Sequence, residues 1–232
     1  MEPARIDVLD HGYVLLADSM GSDLSIVRAA RVSYNADWRT GDNEKNDEKL
    51  IGFLWKNHHM TPFESVEFTF EIKIPMFGRS QWHRHRTQSY NELSARYAAL
   101  PEEFYVPEIG IIGIQDSTNK QGRSITELTK ERKDQLEYSI ELVAAHHLRS
   151  YLLYDRLMNE FHWPRELARS VLGSAFYTRF FAKANLRNWL HFLELRLDQH
   201  AQYEIRVYAE AIRTLIRPTI PVTWEMIYGT NS

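Results

Sequence analysis

The sequence predicts an α+β fold within the broad α/β class, organised as one domain over residues 1–232. Three observations carry this. The clearest strand pattern, VEFTFEIKI at 66–74, lies early in the chain, and helical periodicity dominates after residue 124. No G-x-G-x-x-G, G-x-x-x-x-G-K-[ST] or G-x-S-x-G occurs, so a nucleotide would need a frame other than a Rossmann or P-loop one. A chain of 232 residues has ample core to fold without staples.

Taken in order, RIDVLDHGYVLLADSM reads as two short strands around Gly12. SDLSIVRAARVS reads as a helix capped by Ser22 or Asp23, with Leu24, Val27, Ala30 and Val32 at helical spacing. NDEKLIGFLWKNHH reads as a second helix whose apolar face is Leu50, Phe53 and Leu54. In the strand at 66–74, Val66, Phe68, Phe70, Ile72 and Ile74 alternate with polar residues, and Pro75 ends it before a short helix in MFGRSQWHRHR. Residues 98–123 read as an irregular connection. A long helix is predicted from Ser124 to about Phe161, with Ile125, Leu128, Leu136, Ile140, Val143, Leu148 and Leu152 near one stripe and Pro164 as its stop. PRELARSVLG is a short helix between Pro164 and Gly173. AFYTRFFAKA suits a strand, with helix as the alternative. NLRNWLHFLELRLDQHAQYEIRVYAEAIRTLI gives one or two helices before Pro218.

Composition narrows the function classes. The net charge of −3 creates no global field for nucleic acid or anionic membrane. The absence of cysteine excludes disulfides, thiolate zinc sites and cysteine nucleophiles. No secretory signal is evident at the N-terminus, and no apolar run approaches a membrane span. The expectation is a cytoplasmic protein. His83 and His85 form the only His-x-His pair, and without thiols or further ligand spacing no metal site is expected.

Polar constellations then stand out. RHRTQSYNELSARY, 84–97, places Arg84, Arg86 and Arg96 in a short span. Arginine's planar fork suits phosphate and carboxylate, so local anions among these cations are expected. The bland alternative is a solvated loop with local ion pairs, against which Tyr90 and Tyr97 suggest packing beneath the polar groups. NHHMTPFE carries His58, His59, Thr61 and Glu64, and by itself reads as a helix end with a proline turn. In the helix after Asn185, Arg187, His191, Glu194 and Asp198 form a polar stripe, and Arg196 and His200 share another line. Arg165 and Arg169 lie one turn apart, where a surface face with Glu166 is the plain reading.

RHRTQSYNELSARY resembles the signature of the flavin-dependent thymidylate synthases, Arg-His-Arg, seven residues, then Ser: here Arg84, His85, Arg86 and Ser94, with Asn91, Glu92, Arg96 and Tyr97 in the family-like tail. TPFE at 61–64, YTRFF at 177–181, NLR at 185–187 and HFLELRLDQHAQYEIR from His191 agree in order and spacing. The resemblance covers nearly the whole chain. It implies methylation of dUMP to dTMP with 5,10-methylenetetrahydrofolate as carbon donor and NADPH-reduced FAD as hydride carrier. It also implies a central mixed or antiparallel sheet with long helices, and a homotetramer with active sites shared between subunits. The implied dUMP contacts are Gln81, Trp82, His83, Arg84, Glu92, Leu93, Ser94, Ala95, Arg96, Arg169 and Arg196. The implied FAD contacts are His59, Thr61, Arg84, His85, Arg86, Glu92, Asn185, Leu186, Arg187 and His191. Two departures occur: Ser65 where relatives often carry His, and Gly173 where they often carry Pro.

The missing cysteine bears on mechanism. A thiolate cannot add to the uracil ring, so C5 has to be enriched in another way, such as a guanidinium stabilising a ring ionised at N3. The resemblance gives that role to Arg196. Ser94 is the other catalytic candidate, read as a substrate contact and not a nucleophile, since no histidine base lies beside it in sequence. Two other classes remain open at this point: a histidine phosphotransfer site built on Arg-His-Arg, and a module that binds a nucleotide without chemistry.

Overall fold

The structure is a computed structural model that describes residues 4–33 and 44–229. Its centre is a five-stranded sheet, every pairing antiparallel. The strands are β1 (Arg5–Val8), β2 (Gly12–Met20), β3 (Glu67–Pro75), β4 (Ser89–Glu92) and, late in the chain, β7 (Tyr177–Asn185). Their order across the sheet is β1-β2-β3-β7-β4. The predicted alternation on β3 holds: Phe68, Phe70, Ile72 and Ile74 are fully buried, and the register sets Phe68, Phe70 and Ile72 opposite Ala184, Ala182 and Phe180 on the same face. The other face carries charge. Lys183 pairs with Glu67 at 2.7 Å and Arg179 with Glu71 at 3.7 Å, both diagonal neighbours across β3 and β7.

At the β1–β2 turn a Cβ on Gly12 would lie 2.0 Å from the Tyr208 hydroxyl and 2.7 Å from the Val8 carbonyl oxygen. Only glycine allows that approach. The helices are α1 (Asp23–Val32), α2 (Glu44–Lys56), α3 (Met76–Trp82), α4 (Ile109–Ile112), α5 (Lys130–Asn159), α6 (Arg165–Ala168), α7 (Leu186–Arg196), α8 (Tyr203–Ile216) and α9 (Pro221–Tyr228). A small hairpin, β5 (Ile114–Gln115) with β6 (Arg123–Ser124), completes the set. Its turn is organised by Asp116, which accepts from the Ser124 and Thr118 hydroxyls and from backbone N–H groups. Those donors, Ser124 first, hold its carboxyl well below the usual carboxylate range.

Several expectations are corrected. Helix α1 is closed by a capping box of Ser22 and Ser25, but it buries Ile26, Val27 and Ala30 while Val32 is exposed. Helix α2 buries Ile51 and Leu54, and Phe53 points outward. The long helix begins at Lys130, not Ser124, because Thr129 accepts from the Arg132 N–H as its N-cap. Of its predicted stripe only Leu136 is buried; Val143, Leu148 and Leu152 are exposed. AFYTRFFAKA is a strand, and the following segment is two helices, α7 and α8, with Asp198 beyond the end of α7. Strand β4 and helix α9 had no counterpart in the sequence reading. Tyr97, expected to pack, is 81% exposed.

Candidate active site

Strand β3 passes directly into α3 through Pro75, whose ψ of 145° serves as N-cap. Helix α3 ends at Trp82, which drives its indole into the core and donates from Nε1 to Gln88 Oε1 at 3.0 Å. Tyr90 on β4 folds back and donates to the His85 carbonyl at 2.7 Å. These two anchors hold the intervening loop so that Arg84 and Arg86 face out while His85, 7% exposed, faces in.

His85 meets Arg196 at the last turn of α7. Arg196 Nε donates to His85 Nε2 at 2.9 Å and Nη2 donates to the Gln81 carbonyl at 3.0 Å. A guanidinium can only donate, so His85 is neutral, with its proton on Nδ1. Burial first, then the charges of Arg196 and His191, push the His85 pKa down to about 4. Burial likewise lowers the Arg196 pKa. Among the described residues no carboxylate pairs with Arg84, Arg86, Arg169 or Arg196. Arg84, His85, Arg86, Thr87, His191, Leu195 and Arg196 line a cavity of 420 Å³.

A neighbouring cavity of 790 Å³ shares Thr87 and His191 with it and adds Asn185, Arg187, Trp55, Met60, Leu190 and Tyr228. Asn185 is positioned here as the N-cap of α7, accepting from the Asn188 N–H. Arg187 donates to Glu64 at 2.7 Å, joining α7 to the TPFE turn (Thr61–Ser65). A third cavity, 610 Å³, shares no lining residue with the other two. It takes Glu92, Leu93, Ser94, Ala95 and Arg169, together with Arg79, Ser80, Gly173, Ser174 and Thr178. Arg79 grips Glu92 with two nitrogens, the closer contact at 2.8 Å, and the Thr178 hydroxyl donates to the same carboxylate at 2.7 Å.

The predicted residues therefore fall into three groups. Arg84, His85, Arg86, Asn185, Arg187, His191 and Arg196 come together around the first two cavities. Glu92, Leu93, Ser94, Ala95 and Arg169 gather at the third. The rest line none of the three cavities. Gln81 turns its side chain to Gln202, and Arg96 is exposed, 3.6 Å from Glu166. His59 is exposed against the edge of Phe53, and Thr61 is exposed at the start of its turn. His83 packs on Tyr90 and Phe180, its Nε2 buried without a partner among the described residues. Two expectations are corrected: Trp82 and Leu186 have no exposed surface, so both are core residues and offer a ligand nothing on this chain. Of the two departures, Ser65 caps its own turn by donating to the Pro62 carbonyl at 2.6 Å. Gly173 lines the third cavity, with open space where a Cβ would stand.

Sequence reasoning missed Arg79 and Thr178, whose partner Glu92 lies on a different strand, and Trp55 and Tyr228, which the tertiary fold brings together. Among the described residues no group of three His, Asp or Glu side chains converges as a metal site, and no helix is long and apolar enough to cross a membrane.

The burial of His85 beside Arg196 has a measurable consequence. Its proton is bound in the unfolded chain below about pH 6.5 and in the fold only below about 4, so stability falls as pH drops through that window. The drop amounts to about 3 kcal/mol at most. His85→Gln, which does not titrate, is expected to flatten the pH dependence of urea unfolding between those limits. His83 and His147, also shifted down chiefly by burial, leave a residual slope.

Known proteins resemble this chain in sequence and in fold. A family model described as "Thymidylate synthase complementing protein" matches residues 15–222. The flavin-dependent thymidylate synthase of Rickettsia bellii is 45% identical over 95% of this chain and 76% of its own length. That of Thermotoga neapolitana is 43% identical over 95% and 93%. Among solved structures, the UMP/dUMP methylase PolB from Streptomyces cacaoi, bound with 5-Br dUMP, superposes with a TM-score of 0.84 at 33% identity, over 95% of this chain and 96% of that one. A match over nearly the whole chain, with the arginine–histidine loop and the Ser94 strand end in place, means that the chain belongs to the flavin-dependent thymidylate synthase family.

Proposed function

We propose that the protein methylates C5 of dUMP to give dTMP, taking the carbon from 5,10-methylenetetrahydrofolate and using FAD reduced by NADPH. The observation that carries this reading is Arg196. It is a half-buried cation held by two neutral acceptors, His85 Nε2 and the Gln81 carbonyl, and among the described residues no carboxylate pairs with it. An uncompensated guanidinium in a shielded site favours an anion strongly. Ionisation of uracil at N3 spreads negative charge over the ring and makes C5 nucleophilic. The N–H groups of Arg196 left free by its two anchors are suited to that charge. With no cysteine in the chain, no thiolate can do the same work.

The nucleotide phosphate suits Arg169 and Ser94 of the third cavity, with Arg96 close by on a weak surface pair with Glu166 that an anion can displace. The flavin suits the paired cavities: Arg84, Arg86 and Arg187 match a diphosphate, and Trp55, Leu190 and Tyr228 give apolar lining for a ring. When bound, the flavin supplies the reducing equivalents that convert the transferred one-carbon unit to a methyl group.

The two halves of the dUMP set line cavities with no residue in common, which supports active sites assembled between copies of the chain. Helix α5 supports a homotetramer as well. Its exposed Tyr138, Leu142, Leu148, Leu152 and Leu153 form apolar surface on a 30-residue helix, which a second copy would cover. The lack of cysteine accords with the cytoplasm.

The test is release of tritium from C5-labelled dUMP, dependent on both NADPH and methylenetetrahydrofolate, by protein that is yellow as purified and yields FAD on denaturation. Colourless protein that takes up no added FAD would overturn the reading, and so would tritium retention by the flavin-loaded protein. Ser94 Oγ accepts from the Arg96 N–H at 3.3 Å and has no histidine partner, so Ser94→Ala is expected to keep turnover within about tenfold, the loss of one substrate hydrogen bond. Abolished turnover with dUMP and FAD still bound would make Ser94 a reacting group instead.

A further inference from the structure

A buried carboxylate is tied through one side chain to Gln81, which follows Ser80 of the third cavity and whose carbonyl receives Arg196 of the first. Glu204, in the first turn of α8, is 3% exposed, and three donors converge on it. These are Arg123 of β6 at 2.7 Å, the Tyr105 hydroxyl at 3.2 Å and the Gln202 side-chain amide at 2.8 Å. Receiving all three, Glu204 acts only as an acceptor, so Gln202 must turn its NH2 group toward it. Gln202 Oε1 then faces the other way, where the Gln81 NH2 group donates to it. Gln81 is left with Oε1 outward, and among the described residues nothing donates to that oxygen. The backbone carbonyl of the same Gln81 receives Arg196.

We propose that Glu204 is a positioning residue: through Gln202 it fixes the Gln81 amide so that the nucleotide meets an acceptor, and Gln81 thereby selects a hydrogen-bond donor on the substrate. This rests on the dUMP reading above. An amide free to swap ends satisfies donors and acceptors alike, whereas a fixed one rejects a ligand that lacks the matching group. Two donors exist on dUMP, the sugar hydroxyl and ring N3–H. An acceptor at N3 would oppose the ionisation that Arg196 favours, so the sugar hydroxyl is the matched donor. Arg123 extends the chain to the β5–β6 hairpin, which makes the hairpin part of what sets the amide.

The test measures binding of dUMP, its 2′,3′-dideoxy analogue and N3-methyl-dUMP to the flavin-loaded protein. Gln81→Met is expected to weaken dUMP about tenfold and to leave the dideoxy analogue unchanged, so that the two losses do not add. Glu204→Gln is expected to produce the same analogue-selective loss at unchanged flavin content. If that variant does not fold, Gln202→Leu cuts the chain at an exposed residue and carries the same expectation. Selectivity against N3-methyl-dUMP instead would move the contact to the ring and overturn the sugar assignment. Equal losses toward all three nucleotides, or none, would overturn the proposal while leaving the enzyme reading intact. Failure of the unaltered protein to bind dUMP would overturn both.

Discussion

Arg196→Ala is expected to lower turnover about a hundredfold while flavin content and the unfolding transition stay close to those of the parent. The size follows from removing a preorganised charge from a shielded site, roughly 3 kcal/mol of transition-state stabilisation. The near-silent effect on stability follows from the partners. Arg196 is held by a neutral imidazole and a peptide carbonyl, so its loss strands no buried carboxylate; the cavity that His85 and Arg196 line lets water replace the guanidinium on His85 Nε2, and removal of a half-buried cation relieves its own desolvation. Arg196→Lys separates charge from geometry. A lysine keeps the cation but has no planar fork to touch His85, Gln81 and substrate together, so it is expected to recover little. The loss should appear in kcat more than in dUMP affinity, because the charge it answers develops on the ring during reaction. Unchanged turnover in the alanine variant, or a loss confined to dUMP binding, would remove Arg196 from the chemistry.

What the sequence disclosed about this site divides along a physical line. Strand β3 was legible because alternation reports one buried sheet face, and Phe68, Phe70, Ile72 and Ile74 lie on it. The cap at Thr129 was missed because Ile125 and Leu128 continue the apolar spacing beyond the helix. The α5 stripe was legible as a pattern, yet it mostly faces outward, since periodicity reports an apolar face without saying what covers it. Strand β4 was hidden because four edge residues, Ser89–Glu92, are paired by the distant β7 and not by their own propensity. At the candidate site, the family resemblance pointed to Arg84, His85, Ser94 and Arg196. It could not show that His85 is an acceptor for Arg196, nor that Arg79 and Thr178 hold Glu92, because those partners are set by packing and not by spacing. The split of the dUMP set between separate cavities was equally invisible.

Trp82→Ala is the sharpest case of that difference, since the motif reading makes Trp82 a nucleotide contact and the fold makes it a support. Its side chain has no exposed surface. Its ring lies 4.6 Å from Phe192, 5.5 Å from Phe180 and within 6.4 Å of Trp189 and Tyr208. Truncation removes a large aromatic from a packed cluster and strands the Gln88 amide, 7% exposed, whose Oε1 it had satisfied. A loss of about 3–5 kcal/mol is expected, read as a lowered urea midpoint at an unchanged slope. Trp82→Phe, which keeps most of the ring volume and loses only the indole N–H, should fall between the two. Because Trp82 and Tyr90 together hang the loop that carries Arg84, His85 and Arg86, the alanine protein that remains folded should also bind flavin more weakly. A direct nucleotide contact predicts the opposite signature, a raised KM for dUMP at an unchanged urea midpoint, and that result would return Trp82 to the substrate.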